Sequence, residues 1–395
     1  MPPTDASASD AGPDQPRIDL TDVYAAAERL VGVTVRTPLL PFGPRAWLKP
    51  ESLQPIGAFK LRGAYNAIAQ LTPQQRAAGV VAHSSGNHAQ GVARAARLLD
   101  VRATIVMPSD APDIKRARVE ADGAEIVTVG PSSEERLQRA AALARERGLT
   151  LVAPYDDAAV ISGQGTVGLE IVEQVDELDG LPPLSPDADP AAQALAAPEP
   201  SAPSPEAPEP SAPNPEAPGP DALDHPAFAP RPLVVLVPIG GGGLASGVAL
   251  TVKSLRPDAR VFGVEPELAA DARDSLAAGH VVRWDPEQVG RTMADGMRTA
   301  AIGHLPFELL SRYLDGVLTV SEDEIARAMV RGAEQARLIL EPSGATTLAA
   351  WLFHAPELAE RGVPEAARVV IVLSGGNVDP DRYVALLAQG RTAGG

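Results

Sequence analysis

Two doubly wound, mostly parallel α/β sheets facing one another across a cleft are what the 395-residue sequence predicts. Three observations lead there. Strand-length apolar runs alternate with helix-length stretches, the pattern of parallel strands covered on both faces. Turns rich in glycine and serine follow several of those runs, at the carboxyl edge where such sheets bind ligands. Hydrophobic residues make up 45% of the chain, enough for one large core or two ordinary ones.

The elements follow in order. Val80–Ser84 reads as a short strand, and a helix spans about Asn87–Leu99. Ala103–Pro108 is the next strand, then a helix over Asp113–Ala121 and a strand over Glu125–Val129. Ser132 with Glu135 three residues on is a capping box that opens a helix to Arg147. Leu149–Pro154 is a further strand. Leu233–Pro238, a helix over 244–255, Val261–Val264 and a helix over 268–278 resume the alternation. Gly316–Val320 leads into a second capping box, Ser321 with Glu324, and Arg368–Leu373 closes the series. This order assigns 79–154 to a smaller domain and 17–78, 155–180 and 231–395 to a larger one.

Two segments fall outside the alternation. Residues 1–16, rich in Pro, Ala, Ser and Asp, read as a disordered tail. Residues 181–230 hold 16 of the 40 prolines and no lysine or arginine. They include a tandem decapeptide, Pro198–Ala207 followed by Pro208–Ala217. Such a stretch buries too little apolar surface to order itself and reads as an extended spacer, or as a ligand for a polyproline-binding domain.

Charge and cysteine content exclude several classes. The formal net charge is −17, yet setting aside the 11 acids of Asp176–Asp224 brings it to −6. The chain lacks the basic stripe that holds nucleic-acid phosphates. It has no cysteine, which removes disulfides, Cys-ligated metals and thiol nucleophiles. Leu233–Val252 carries no charge, but Pro238 and Gly240–Gly243 at its centre make it a strand, a turn and a helix rather than a membrane span. The amino terminus lacks the basic and apolar regions of a secretion signal, so a cytoplasmic protein is expected.

Four segments carry candidate chemistry. Lys60 stands in the run Ile56-Gly57-Ala58-Phe59-Lys60-Leu61-Arg62-Gly63, and only three other lysines exist, Lys49, Lys115 and Lys253. An amine can lose its proton and form a Schiff base where guanidinium cannot; a surface lysine on a first helical turn is the plainer reading. His83-Ser84-Ser85-Gly86-Asn87-His88 lies where strand becomes helix, so its hydroxyls and amides suit either a carboxylate or ordinary capping. Gly240–Gly243, before a helix starting near Leu244, suits a monophosphate, since neither a P-loop nor Gly-x-Gly-x-x-Gly spacing is present. Ser374-Gly375-Gly376-Asn377 closes the last strand and could by itself be only a turn. Separately, Glu265, Asp271 and the Ala269 carbonyl between them could hold a hard cation, or form a solvated strand end.

Taken together, Ala58-Phe59-Lys60-x-Arg62-Gly63, Ser84-Ser85-Gly86-Asn87-His88, Gly240–Gly243 and Ser374–Asn377 resemble the serine/threonine dehydratases and serine racemases, fold-type II pyridoxal-phosphate (PLP) enzymes with a tryptophan synthase β-like fold. The resemblance runs from about Ile18 to Tyr383, the Pro-rich insert excepted. It implies PLP bound covalently to Lys60, with Phe59 beside the ring, Asn87 at its 3′ oxygen, Gly240–Gly243 and Leu244 around its phosphate, and Ser374 facing its pyridine nitrogen. Ser84, Ser85, Asn87 and His88 would receive the substrate carboxylate. Lys60 would remove the α proton of a β-hydroxy amino acid, and the product would be a 2-oxo acid and ammonia. L-Threonine and L-serine are the expected substrates; racemisation with Ser85 as the opposite-face acid or base, and dehydration of 3-hydroxyaspartate, are the alternatives, and a non-catalytic descendant acting through its insert is a further one.

The resemblance also implies that Glu265, Ala269 and Asp271 bind Mg²⁺, Mn²⁺ or Ca²⁺, and that the chain forms a homo-oligomer, dimer or tetramer. Ala58 stands where many relatives have serine, removing one hydroxyl beside the Schiff base. The chain ends soon after Asn377, so isoleucine control through a C-terminal regulatory domain is not expected.

Overall fold

The computed structural model describes residues 18–84, 86–111, 113–130, 133–181 and 231–393. The tail 1–16, the insert beyond Leu181, and Ser132 of the first capping box lie outside them. Among the described residues ten strands form two sheets. In chain order they are β1 (Leu40–Pro41), β2 (Ala46–Pro50), β3 (Val80–His83), β4 (Ala103–Pro108), β5 (Glu125–Val129), β6 (Thr150–Leu151), β7 (Leu233–Pro238), β8 (Arg260–Pro266), β9 (Gly316–Val320) and β10 (Arg368–Leu373). The larger sheet has the order β1-β2-β10-β7-β8-β9 and the smaller β5-β4-β3-β6. Among the described residues every pairing between these strands is parallel except β1 with β2, where Leu40 faces Leu48.

Parallel strands with side chains buried on both faces need a core on each side, and the alternation along β7 and β10 shows both. Val235, Val237, Val370 and Val372 join one apolar cluster with Ile161, Val167, Ala245 and Val248 from the helices Ala158–Leu178 and Gly243–Leu255. Their neighbours Val234, Leu236, Val369 and Ile371 join the opposite cluster with Ile325, Met329, Ala345 and Leu348 from Glu322–Arg331 and Pro342–Phe353. The helix Lys60–Ala69 sits at the seam between the sheets. Its Leu61, Ala64 and Ile68 pack with Val80, Ala82 and Ile105 of the smaller sheet, while the side chains of Arg62 and Asn66 bond to Ala158–Leu178 or its carbonyls.

Several boundaries differ from expectation. The strand expected over Leu149–Pro154 pairs only at Thr150–Leu151; after Val152 donates to Val81 (2.9 Å) the chain leaves the sheet toward Pro154. The helix expected from 268 starts at Asp271, after a 3-10 turn over Glu267–Ala269, because the Glu265 carboxylate accepts from the amides of Ala272 (3.0 Å) and Arg273 (2.8 Å) and anchors the first turn there. The apolar segment Leu233–Val252 is a strand, a turn and a helix, as expected, and no helix among the described residues is long and apolar enough to cross a membrane. Ser321 and Glu324 form the predicted reciprocal capping box.

One residue holds both flanks of the insert. Arg368, at the amino end of β10, donates its amide to the Pro232 carbonyl (2.8 Å) and pairs its guanidinium with Asp179.

Candidate active site

Backbone pairing joins two of the sequence motifs directly. Ala58 and Gly375 form an antiparallel bridge, Phe59 donates its amide to the Ser374 carbonyl (3.2 Å), and Gly376 donates to Gly57 (2.9 Å). Gly57 is at φ +73, and a Cβ there would meet Asn377 Oδ1 at 2.5 Å, so only glycine fits this approach. Lys60 therefore begins its helix at the carboxyl edge of β10.

The environment of the Lys60 amine is unlike that of the other lysines. Lys49 pairs with Glu170 at 2.6 Å, Lys115 with Asp295 at 2.6 Å and Lys253 with Asp315 at 3.3 Å. Lys60 has no carboxylate partner among the described residues. Its Nζ donates to the Pro154 carbonyl (2.7 Å) and lies 5.1 Å from the Phe59 ring centroid. Burial without a counter-charge pulls its pKa down to about 8, so the neutral, nucleophilic amine, still the minor form at pH 7, is far more populated than in an ordinary lysine.

The helix Asn87–Leu98 starts without a side-chain cap, its N-cap being Gly86. Ser84 Oγ accepts from the Gly86 amide (3.1 Å). Ser85 lies outside the described residues. Asn87 is gripped from the opposite sheet: its Nδ2 donates to Glu341 Oε1 (2.6 Å) and its Oδ1 accepts from Asn377 Nδ2 (2.8 Å). One N–H of its amide remains for another acceptor. His88 departs from its expected role as a carboxylate ligand. It is buried, and its Nε2 lies 2.9 Å from the Val152 carbonyl, which can only accept, so Nε2 carries the proton. Burial, with the Lys60 charge adding, holds its pKa down at about 3, and the ring is neutral.

In the tetraglycine bend, none of the amides of Gly240, Gly241, Gly242 and Gly243 finds an acceptor among the described residues, and the helix Gly243–Leu255 has no side-chain cap. Gly242 is at φ +93. Consecutive free amides at a helix start form a concavity for an anion. The bend is tied to the lysine by adjacent residues: Pro154 accepts from Lys60, and the Tyr155 ring lies against Gly241. Ser374 is buried and donates its hydroxyl to the Ser343 carbonyl (3.3 Å), leaving its lone pairs as acceptors.

The family model for pyridoxal-phosphate dependent enzymes matches residues 32–185 and 222–375. The chain belongs to that family. The unmatched interval falls within the Pro-rich insert. The PLP enzyme is 35% identical over 374 residues to an L-threo-3-hydroxyaspartate ammonia-lyase of Saccharomyces cerevisiae, covering 93% of this chain and 95% of that one. It is 32% identical to a serine racemase of Schizosaccharomyces pombe, covering 93% and 97%. The crystal structure of a threonine deaminase from T.th. superposes with a TM-score of 0.72 at 38% identity, covering 91% and 99%. The fold is that of fold-type II PLP enzymes, and the chain is a PLP-dependent member of the ammonia-lyase and racemase group. The unpaired lysine amine and the acceptor-free amides fit the aldehyde and phosphate of that cofactor.

Glu341 escaped the sequence reading. It is buried at the start of the helix Pro342–Phe353, held by Asn87 and close to the Gly375 backbone. Burial, reinforced by Asp295, raises its pKa to about 8, so its carboxyl is largely protonated at neutral pH. The pair Lys115–Asp295 and the contact of Arg118 with Asn377 Oδ1 close the smaller sheet's helix Asp113–Ala121 onto the larger sheet. No spacing in the sequence links these residues.

The candidate cation site is half consistent with a metal. Asp271 is buried; the amides of Ile302 and of Asp271 itself face its carboxylate, but neither oxygen completes a well-formed hydrogen bond among the described residues. Burial, with Asp274 adding, raises its pKa to about 7. Glu265 is buried and raised well above its ordinary pKa by burial and by Asp271, but both its oxygens accept helix amides. Among the described residues no group of three or more His, Cys, Asp or Glu side chains is arranged around one point.

Proposed function

We propose that this enzyme eliminates water from a β-hydroxy amino acid, the enamine released then taking up a water as it hydrolyses to a 2-oxo acid and ammonia, with L-threonine and L-serine as substrates. The observation that carries the reading is the Lys60 amine, alone among four lysines in lacking a carboxylate and joined through Pro154–Tyr155 to a bend of free amides. When bound, PLP withdraws electrons from the α-carbon of the amino acid joined to it. The protein's residues do the rest. Lys60 Nζ accepts the α proton, which its lowered pKa permits at neutral pH. The amides of Gly240–Gly243, with Leu244, hold the cofactor phosphate. Ser84, Ser85 and the Asn87 amide hold the substrate carboxylate at the start of the helix Asn87–Leu98, and His88 fixes the Val152 carbonyl beside them. Phe59 packs beside the ring and Ser374 meets its nitrogen with a neutral hydroxyl.

A second reading is dehydration of 3-hydroxyaspartate. It is supported by the relatives bearing that name and by Lys115, whose Nζ lies 3.8 Å from where a Cβ on Gly86 would stand, a cation beside the carboxylate loop. Purified enzyme given L-threonine, L-serine, D-serine and threo-3-hydroxyaspartate separates the readings, with 2-oxo acid release and product chirality both followed. Oxo acid from threonine or serine is the expected result; its absence with all four substrates rejects the elimination. The pair Glu265 and Asp271, with the Ala269 carbonyl, is proposed to bind Mg²⁺, Mn²⁺ or Ca²⁺, the unpartnered Asp271 oxygens being the support.

A further inference from the structure

The stretch Val152–Asp157 runs from the end of the smaller sheet into the long helix and touches a different part of the site at nearly every residue. The Val152 carbonyl accepts from His88 and the Pro154 carbonyl from Lys60. Asp156 accepts the amides of His304 (3.1 Å) and Leu305 (3.0 Å), and Asp157 caps the long helix at Val160 (2.9 Å). Tyr155 lies between them, and what it touches is the glycine bend. A Cβ on Gly241 would lie 2.1 Å from Tyr155 Cδ1 and 2.2 Å from Cγ; one on Gly243 would lie 2.9 Å from Tyr155 Cα. The ring is laid against the bare α-carbon of Gly241, and the Tyr155 backbone against that of Gly243. The remaining would-be side-chain positions are filled as well, Gly242 by Pro306 (2.6 Å) and Ile302 (3.0 Å), Gly240 by the Gly296 carbonyl (3.1 Å). Packing therefore closes the side-chain directions of the bend, and the groups left over are the acceptor-free amides.

We propose that Tyr155 is the positioning residue of this bend: its ring, seated on Gly241 while its backbone and Cβ abut Gly243, holds the amides in the arrangement that grips the cofactor phosphate. The inference rests on the reading of Gly240–Gly243 as the phosphate site. Removing the ring leaves every amide in place but frees the bend to move, so ordering it is charged against binding. The loss falls on the phosphate alone.

The test compares pyridoxal 5′-phosphate with pyridoxal on the full-length chain freed of cofactor, by equilibrium dialysis. The wild type is expected to prefer the phosphorylated form. Tyr155→Ala is expected to lose about tenfold of that preference with little change in pyridoxal affinity, and Tyr155→Phe to keep it. Tyr155→Leu preserves apolar bulk without a flat ring and carries the same test should the alanine variant fail to fold. Gly241→Ala, which drives a methyl into the ring, should lose the preference too, and Tyr155→Ala/Gly241→Ala should regain part of what Gly241→Ala lost, the non-additivity of two groups in contact read out here in phosphate selectivity. Undiminished preference in Tyr155→Ala or Tyr155→Leu, or additive single losses, overturns the role of Tyr155. A wild type without preference overturns the phosphate site beneath it.

Discussion

Lys60 and Lys49 are both desolvated, yet they sit in opposite kinds of surroundings. Lys49 donates to Glu170, to the Thr37 carbonyl and to Gln174, inside a network where Arg62 pairs with Glu51 and Glu170. Lys60 lies two residues before Arg62 on the same helix and has a single carbonyl. Burial pushes both lysine pKa values down, but Glu170 and Glu51 counteract it at Lys49 and no charge does so at Lys60. A compensated charge ties elements together; an uncompensated amine is reactive. The helix Lys60–Ala69 is thus nailed down by Arg62 so that its first residue can stay unsatisfied.

The largest effect that tests this contrast is Lys60→Ala. Turnover is expected to fall by orders of magnitude, and borohydride reduction followed by mass spectrometry should find the cofactor on residue 60 of the wild type and nowhere in the variant. Stability of the cofactor-free chain should not fall, since a costly desolvated amine is removed. Glu51→Ala should do the reverse. It removes one of the two carboxylates paired with the buried Arg62 guanidinium, leaving Glu170, at a cost of up to about 3–5 kcal/mol, read as a lowered urea midpoint, whereas Lys60→Ala leaves that midpoint in place. An equal loss of stability in both variants would erase the distinction.

A smaller effect is expected on pH dependence. The neutral amine captures the aldehyde, so with a pKa of about 8 the capture rate of the cofactor-free chain should rise as pH rises through 7 and level off above 8. A rate still climbing at pH 10 would mean an ordinary lysine. Divalent cations come next. Chelation should lower the melting temperature of the wild type by a few degrees and leave Asp271→Ala unmoved, and the difference should shrink as pH falls through about 7, where Asp271 takes up a proton. The smallest effect is expected from removing residues 183–230, which should leave turnover unchanged, because both flanks are held at Arg368.

The sequence was legible where chemistry lies in contiguous residues. Lys60, the tetraglycine bend and the Ser374 turn are short motifs at strand or helix ends, and their local neighbours determine their backbone. Glu341, Tyr155 and the contacts of Asn377 with Asn87 and Arg118 depend on which segments the fold brings together, and no spacing in the chain encodes that apposition. The long helix Ala158–Leu178 was missed for a physical reason. Gly163, Gly165 and Gly168 look like breakers, but a Cβ on Gly163 would lie 2.7 Å from the Arg62 carbonyl and one on Gly168 3.0 Å from that of Val248, so they admit neighbouring helices. The hairpin β1–β2 escaped because two- and five-residue strands beside prolines leave little periodicity.

Arg368 stands at the start of β10 and Ser374 just past its end, so the flanks of the insert and the candidate active site occupy opposite rims of one sheet. That geometry makes the insert's rim a natural handle. A fluorophore, an affinity peptide or a tether to a solid support could be grafted between Asp179 and Pro232 with the cleft still open to the medium.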